Sequence, residues 1–319
     1  NDFKLINGVE KDLLSIILDL PSYEHSCLKC FNYTSLESVK LNADSFLLVG
    51  NNFFNKAKKL SSIELKSRNV SIDEQAFKGC CNLEKIVFDD ETNIILGFEC
   101  FAHTKIKSFN INAKLLLIGS SSFKNCSSLQ SFNVPNSTTI NIFENAFFGC
   151  ENIKYFNIDK SNEIFLDNFC LNDLYSIELQ TSIFRIKENA LSNCSRLTLF
   201  NVKCDNDIVI NRNTFNGCDS LKNVFLISSS RIILMNSCFS SIKKLDSLLV
   251  DCERFHFDID LFKNGISVSN FSLRCQTDIN TFIFSNCDSF NEINLESDSS
   301  IILSPRSFEN TKKLISLTI

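Results

Sequence analysis

The chain has 319 residues, of which 44% are hydrophobic, and its formal net charge at pH 7 is −5. The acidic balance argues against a sequence-independent nucleic-acid binder and against a protein that coats anionic membranes, because both need a basic face. Since no apolar run approaches the roughly 18 residues that a membrane-spanning helix needs, we expect no membrane insertion by this segment.

In chain order, the sequence repeats one unit from end to end. Each unit begins at an apolar anchor residue, and successive anchors lie 21 to 24 residues apart. The anchors are Leu13, Leu36, Leu60, Leu83, Ile106, Leu129, Ile153, Leu174, Leu197, Leu221, Leu245, Val268, Phe290 and Leu314. Self-similarity at a fixed period is typical of solenoids. The sequence therefore predicts a solenoid of about 13 stacked repeats of about 23 residues.

Each anchor opens a predicted strand of the pattern Leu-x2-Ile-x-Leu, as in Leu60, Ile63 and Leu65. The alternation has the period of a half-buried strand. After a loop comes a second alternating pair, such as Val70 and Ile72, and five residues later comes a phenylalanine column. Its members are Phe54, Phe77, Phe101, Phe123, Phe147, Phe169, Phe215, Phe239, Phe262, Phe284 and Phe308, with Leu191 in one unit. Stacking of units would bury each ring on the next, so we expect this column to be the main stabilising spine.

Three residues after the phenylalanine comes a cysteine column, formed by Cys80, Cys126, Cys150, Cys194, Cys218 and Cys287. Other cysteines occupy small-residue positions, as Cys100 does where Ala76 stands in another unit. A free cysteine behaves as a small buried hydrophobe, and the odd total of 15 argues against a complete set of disulfides. We therefore interpret most of the cysteines as free, buried, structural thiols.

The remaining reactive residue types form no catalytic pattern. The pair Cys27-x2-Cys30 lacks the second pair that a zinc site needs. His103 falls in the cysteine column of a shortened unit, where we expect a packed side chain, and His25 and His256 stand in no metal-ligand spacing. Because no acid, base or nucleophile constellation is visible, the sequence predicts no catalytic residue, no cofactor and no metal.

The repeat resembles the BspA-like leucine-rich-repeat proteins, whose units read Ala-Phe-x2-Cys-x2-Leu-x2-Ile-x-Leu after an upstream Ile-Gly. The matching segments are Ala76-Phe77-x2-Cys80-x2-Leu83, Ala146-Phe147-x2-Cys150-x2-Ile153 and Ile118-Gly119. The resemblance implies a leucine-rich-repeat solenoid with a parallel β-sheet on its concave face and short strands and turns on its convex side. It also implies non-enzymatic recognition by a cell-surface or secreted protein that adheres to other cells or matrix.

The same period runs through residues 1–319 without a Gly/Ser/Pro linker, so we expect a single solenoid. The chain begins at Asn1 rather than at a methionine and ends within a unit at Ile319, so we expect a piece of a longer protein. We expect a monomer. Two other readings stay open. One is an intracellular (cytoplasmic) scaffold, which free thiols favour; the other is the repeat region of a larger protein with a separate catalytic domain.

The strand pattern also predicts where a protein or glycan partner binds on the concave face. The residues two, four and six positions after each anchor point outward, and the middle position is mostly asparagine from Asn110 to Asn201. Large apolar residues then take over at the outward positions, which predicts an exposed contact patch. The predicted contact residues are Leu199, Phe225, Ile227 and Leu249, with Tyr155, Glu178 and Asp251 as a polar rim. The alternatives are that a loop covers these residues or that they only supply β-propensity.

Overall fold

A computed structural model describes residues 15–20, 35–168, 171, 173–257, 266–280, 284 and 290–319. The positions Leu13, His25, Cys27, Cys30, Phe169, Phe262 and Cys287 lie outside the described residues. The chain divides into two compact units, Asn1–Ser161 with Phe169–Leu171 and Asn162–Asn168 with Asn172–Ile319. That residues 1–319 form one solenoid stays a prediction.

In the first unit each turn contributes two parallel strands, which we call the front strand and the back strand. The front strands begin two residues after the anchors. They are β1 (Ser15–Leu20), β2 (Ser38–Ala43), β4 (Ser62–Lys66), β6 (Lys85–Phe88), β8 (Ser108–Asn110), β10 (Ser131–Pro135) and the start of β12 (Tyr155–Leu166). They pair in the orders β1-β2-β4-β6 and β8-β10-β12. The back strands, paired in sequence order, are β3 (Leu47–Val49), β5 (Asn69–Ile72), β7 (Thr92–Leu96), β9 (Ala113–Ile118) and β11 (Thr139–Ile142).

The second unit repeats this arrangement. Its front strands pair in parallel from β13 (Ser176–Ile186) through β14 (Leu199–Cys204), β16 (Asn223–Ser228), β18 (Lys244–Cys252), β20 (Ser267–Cys275) and β22 (Phe290–Ser297) to β24 (Ser316–Thr318). Its back strands form two small parallel sheets, β15 (Ile208–Ile210) with β17 (Arg231–Leu234) and β19 (Arg254–Phe257), and β21 (Ile279–Asn280) with β23 (Ile301–Ile302). The predicted pair of strands in each unit is thus confirmed.

The architecture is a parallel-strand β-solenoid, and its described residues contain no α-helix. It has about 11 turns of about 23 residues, slightly fewer than the 13 predicted from the anchor spacing.

Among the described residues, the phenylalanine column is confirmed as stacked rings, which are buried except at Phe308, where the ring is half-buried. In the first unit, Phe54, Phe77, Phe101, Phe123 and Phe147 follow one another with ring centroids 5.1 to 5.6 Å apart and interplanar angles of 2 to 18°. Each of these rings is at most 1% exposed. In the second unit, the rings of Phe215 and Phe239 stack in the same way at 5.4 Å and 5°. Because a ring from one turn covers the ring of the next, no turn buries its own phenylalanine alone.

Phenylalanines of the front strands pack against this stack of rings. Phe109 on β8 meets the Phe123 ring edge-on at 5.1 Å, and Phe132 on β10 meets Phe147 edge-on at 5.3 Å. Phe109 and Phe132 also stack on each other at 5.5 Å. Edge-to-face pairs add about 0.5–1.5 kcal/mol beyond area burial. The core therefore lies between the front strands and the turns that carry the phenylalanine column.

Residues with a left-handed backbone flank the phenylalanine column. They stand two positions before and two positions after the phenylalanine. Around Phe147 these are Asn145 (φ 56°) and Gly149 (φ 75°). A side chain at Gly149 would collide with the Oδ1 atom of Asn125. Glycine and asparagine tolerate this backbone region best, which explains their recurrence next to the column, and the sequence analysis did not identify this constraint.

The five described members of the cysteine column are buried, as predicted, and thiols of the column also donate hydrogen bonds. In four of them, the Sγ atom donates to the backbone carbonyl of the phenylalanine-column residue one turn earlier. The pairs are Cys80 to Phe54 (3.0 Å), Cys126 to Phe101 (3.1 Å), Cys150 to Phe123 (2.9 Å) and Cys218 to Leu191 (3.1 Å). Since buried carbonyls need a partner, these thiols connect consecutive turns as well as fill space.

The prediction for His103 is wrong. His103 is exposed with a φ of 62°, and Thr104 takes the buried column position, with its Oγ1 atom 3.2 Å from the Sγ atom of Cys126. In this shortened turn only one residue, rather than two, separates the cysteine-column position from the anchor Ile106. The count of three residues forward from Phe101, rather than the count back from the anchor Ile106, therefore locates the column.

A buried carboxylate adds an electrostatic link between turns of the first unit. Glu99 is 7% exposed and accepts hydrogen bonds from Lys78 and Gln75, while Lys124 Nζ lies 3.7 Å from its other oxygen. The hydrogen bond from Lys78 holds the pKa of Glu99 below its ordinary value, although burial opposes this shift. The ionised form of Glu99 thus favours the folded state.

Removing one column ring should strongly destabilise the fold. We expect Phe147→Ala to lower the free energy of unfolding by about 3–5 kcal/mol, because it opens a cavity against the stacked ring of Phe123 and the edge-on rings of Phe132 and Phe156. The neighbouring Phe148 is 46% exposed, so Phe148→Ala is the matched control and should have a much smaller effect. Chemical denaturation of the three proteins is the measurement. Equal losses of unfolding free energy in both variants would contradict the claim that the phenylalanine column is the main stabilising element.

The Glu99 contribution should depend on pH. Because its pKa is lowered in the folded chain, its stabilisation is present above the ordinary glutamate pKa of about 4.3 and is lost as the pH falls through the folded-state value. The difference in unfolding free energy between wild type and Glu99→Gln should therefore shrink towards acid pH. Glu84→Gln, which removes an exposed pair with Lys107, should give a smaller difference. A difference for Glu99→Gln that does not change with pH would show that the carboxylate is not the cause.

Candidate interaction surface on the front strands

The front strands of the second unit present their outward side chains in three parallel rows. The middle row is Glu178, Asn201, Phe225, Leu249, Ser272, Asn294 and Thr318, and each residue is the register partner of the next. The residues on either side of each of these along the chain are buried from β13 to β22. The predicted order of the middle row is therefore confirmed within this unit.

Four large apolar residues meet on this face, and we call them the apolar patch: Leu199, Phe225, Ile227 and Leu249. Phe225 and Leu249 are register partners on strands that lie about 4.8 Å apart. Ile227 follows two residues after Phe225 on the same strand, and Leu199 is the register partner of Asn223, diagonal to Phe225. All four side chains are half-buried rather than fully exposed. The patch is thus partly supported by its neighbours and still open to a partner.

The structure places the predicted rim residues differently from one another. Asp251 is the register partner of Ile227 and borders the apolar patch directly. Glu178 is exposed and is separated from Phe225 by Asn201 in the middle row. Tyr155 belongs to the first unit, where it is 71% exposed beside Ser131. Its membership of the rim stays a prediction.

A polar frame borders the apolar patch, and it was not predicted from the sequence as a unit. Asn201 and Ser272 border the patch in the middle row, Asn223 and Ser247 in the row before it, and Lys203 in the row after it. The signal was available, because these residues stand at the same outward positions of the repeat. The frame is mostly uncharged and able to donate and accept hydrogen bonds.

Three of the buried thiols, those of Cys80, Cys100 and Cys252, are poor nucleophiles. Burial raises the pKa of Cys80 to about 12 and also raises the pKa of Cys100 and Cys252, so these thiols stay protonated near neutral pH.

The carboxylate of Asp207 is held by hydrogen bonds from Arg231 and Ser230, which lower its pKa.

The described part of the chain contains no group of three or more His, Cys, Asp or Glu residues that could hold a metal ion. Within the same residues, no helix is long and apolar enough to cross a membrane.

Sequence comparison identifies the repeat type. The family described as "BspA type Leucine rich repeat region" matches in six copies, over residues 25–98, 94–209 and 205–315. These matches cover most of the chain. No curated protein matches the chain in sequence.

Solved structures with a similar fold are remote in sequence. A leucine-rich repeat protein from Bacteroides ovatus is 18% identical with a TM-score of 0.37, covering 95% of this chain and 81% of that one. A leucine rich cell surface protein from Faecalibacterium prausnitzii is 15% identical with a TM-score of 0.35, covering 90% and 80%. A chain of the Drosophila Toll–Spatzle complex is 15% identical with a TM-score of 0.42, covering 89% of this chain but only 39% of its own length.

Proposed function

The chain belongs to the family of BspA-type leucine-rich-repeat proteins, which points to a protein–protein interaction module, and on this premise we propose that the apolar patch of the second unit binds a protein partner. The observation that carries the proposal is the composition of the front face, where Leu199, Phe225, Ile227 and Leu249 interrupt an otherwise polar surface. Solenoids of this family are typically non-catalytic, so recognition is the activity we assign.

The patch has the layout of a binding hot spot. Interfaces draw most of their energy from a few apolar or aromatic anchors, which are surrounded by polar contacts that exclude water. Phe225 is the aromatic anchor, and Leu249 is its register partner on the next strand. Because both are half-buried before a partner arrives, less side-chain freedom remains to be lost on binding.

The carboxylates near the patch favour a partner with basic groups around an apolar centre. Glu178 and Asp251 take part in no ion pair among the described residues. Arg274, the register neighbour of Asp251, directs its guanidinium to Glu296 at 3.6 Å. Unpaired charges at the edge of an interface act mainly on the association rate and on specificity. We therefore place Glu178 and Asp251 in the steering role and the apolar patch in the affinity role.

We propose that this recognition serves adhesion at the cell surface or after secretion. The family supports this proposal, because its members include cell-surface proteins. The second candidate is an intracellular scaffold, and the specific observation in its favour is the set of buried free thiols such as Cys80, Cys126 and Cys218. Reducing compartments preserve such thiols, although burial also protects them.

Substitution of the anchor should weaken partner binding, and Phe225→Asn should do so without unfolding the chain. Phe225→Asp introduces a desolvated charge, and Phe225→Asn introduces the residue that already stands beside it in the row, at Asn201. For a partner captured by the full chain and then purified, we expect the dissociation constant to rise at least about tenfold in both variants, as for a hot-spot residue. Phe148→Asn, at an exposed phenylalanine of the first unit, is the matched control and should leave binding unchanged.

Thermal unfolding shows whether each variant is folded. We expect Phe225→Asn to unfold with the same transition as the wild type. If Phe225→Asn is folded and binds the partner as tightly as wild type does, the apolar patch is not the binding site. The same conclusion follows if Phe148→Asn weakens binding equally.

Location can be measured on the cells that naturally make the protein. An antibody to this segment should label intact cells, or detect the protein in the medium, if the chain is a surface or secreted adhesin. Labelling only after permeabilisation, in parallel with a cytosolic marker, would instead support the intracellular scaffold.

A further inference from the structure

The front face of the first unit carries a different chemistry from the apolar patch. On β8, β10 and β12 the middle row is Asn110, Asn133 and Asn157, and the row before it is Ser108, Ser131 and Tyr155. None of these six side chains carries a charge at neutral pH. Ser108, Asn110, Tyr155 and Asn157 are exposed, and Ser131 and Asn133 are half-buried. These two rows are polar and neutral across three consecutive strands, whereas the row after them carries Pro135 and the exposed carboxylate of Asp159.

Hydrogen bonds between turns hold this row in place. Asn157 Nδ2 donates to Asn133 Oδ1 at 2.8 Å, and Ser131 Oγ donates to Asn110 Oδ1 at 3.5 Å. A primary amide offers two N–H donors and one carbonyl acceptor, so these contacts use only a small part of the capacity of the row. The remaining donors and acceptors repeat at the strand spacing of about 4.8 Å, which is close to the length of one sugar ring.

Tyr155 supplies an aromatic platform at the edge of the row. Its side chain is 71% exposed, and its register partner is the small residue Ser131, which leaves the ring accessible from that side. The face of an aromatic ring carries negative potential, which attracts the polarised C–H groups on the apolar face of a pyranose. The ring can therefore contact the C–H face of a sugar while the neighbouring amides bond to its hydroxyl groups.

From these observations we infer that the front face of the first unit, formed by Tyr155 and the Asn110–Asn133–Asn157 row, is a second binding surface for a neutral oligosaccharide. A polyhydroxylated ligand can bond to the donors and acceptors of the amide row. An anionic polymer would need basic side chains in the row, and a protein partner would need a larger apolar centre than one tyrosine. This inference does not depend on the apolar patch, which lies in the other unit.

The test uses the full chain and a panel of neutral hexasaccharides of glucose, mannose, xylose and N-acetylglucosamine, with calorimetry or an immobilised array as the readout. We expect at least one of these sugars to bind. Tyr155→Ala should weaken that binding at least about tenfold, whereas Tyr155→Phe should retain it, because the ring rather than the hydroxyl forms the platform. Asn133→Ala should also weaken it.

Tyr175→Ala is the matched control. Tyr175 is 47% exposed but lies in the second unit, with the Arg196 guanidinium 5.6 Å from its ring centroid, so its loss should leave sugar binding unchanged. The inference is overturned if no hexasaccharide binds the wild-type chain, or if Tyr155→Ala and Tyr175→Ala behave alike. It is also overturned if no sugar binds and Tyr155→Ala instead weakens a protein partner. Because Phe225→Asn should not alter sugar binding, failure here is distinguishable from failure of the protein-binding proposal.

Discussion

The stacking of buried phenylalanine rings from turn to turn is the interaction on which the rest of the structure depends. Phe77, Phe101 and Phe123 are each fully buried, and each lies between the rings of the turns before and after it. Each ring depends on the rings of adjacent turns for its burial, so consecutive turns have to stay in contact. The front strands of these turns pair in parallel about 4.8 Å apart, and the outward rows of side chains exist because this pairing keeps its register.

The period of the sequence predicted the parts of the fold that depend on residue type alone. The phenylalanine column, the two strands per turn and the order of the outward rows could be predicted because apolar side chains recur at those positions. The backbone conformation beside the column could not, because residues as different as Gln75, Glu99 and Asn145 adopt a left-handed φ there. The exchange of His103 for Thr104 shows the same limit, because a deletion can be aligned from either end of a turn.

The candidate surface shows where prediction from a period ends. Register placed Phe225 next to Leu249, and the structure agrees. The degree of exposure could not be predicted, because it depends on the sizes of the side chains on neighbouring strands, which half-bury the apolar patch. The outward rows are also the positions at which the repeat tolerates change. Asparagine in the first unit and Phe225 or Leu249 in the second can occupy equivalent positions because these side chains do not enter the core.

A double-mutant cycle on the ring stack would test this account most directly. Phe123 and Phe147 stack with centroids 5.4 Å apart, whereas Phe54 and Phe147 are separated by three intervening rings. Single and double Phe→Leu variants of both pairs would be unfolded by denaturant. The account predicts a coupling energy of about 0.5–1.5 kcal/mol for Phe123 with Phe147, and additivity within about 0.5 kcal/mol for Phe54 with Phe147. Additive losses in the adjacent pair, or equal coupling in both pairs, would contradict the claim that ring-on-ring contact between turns holds the solenoid together.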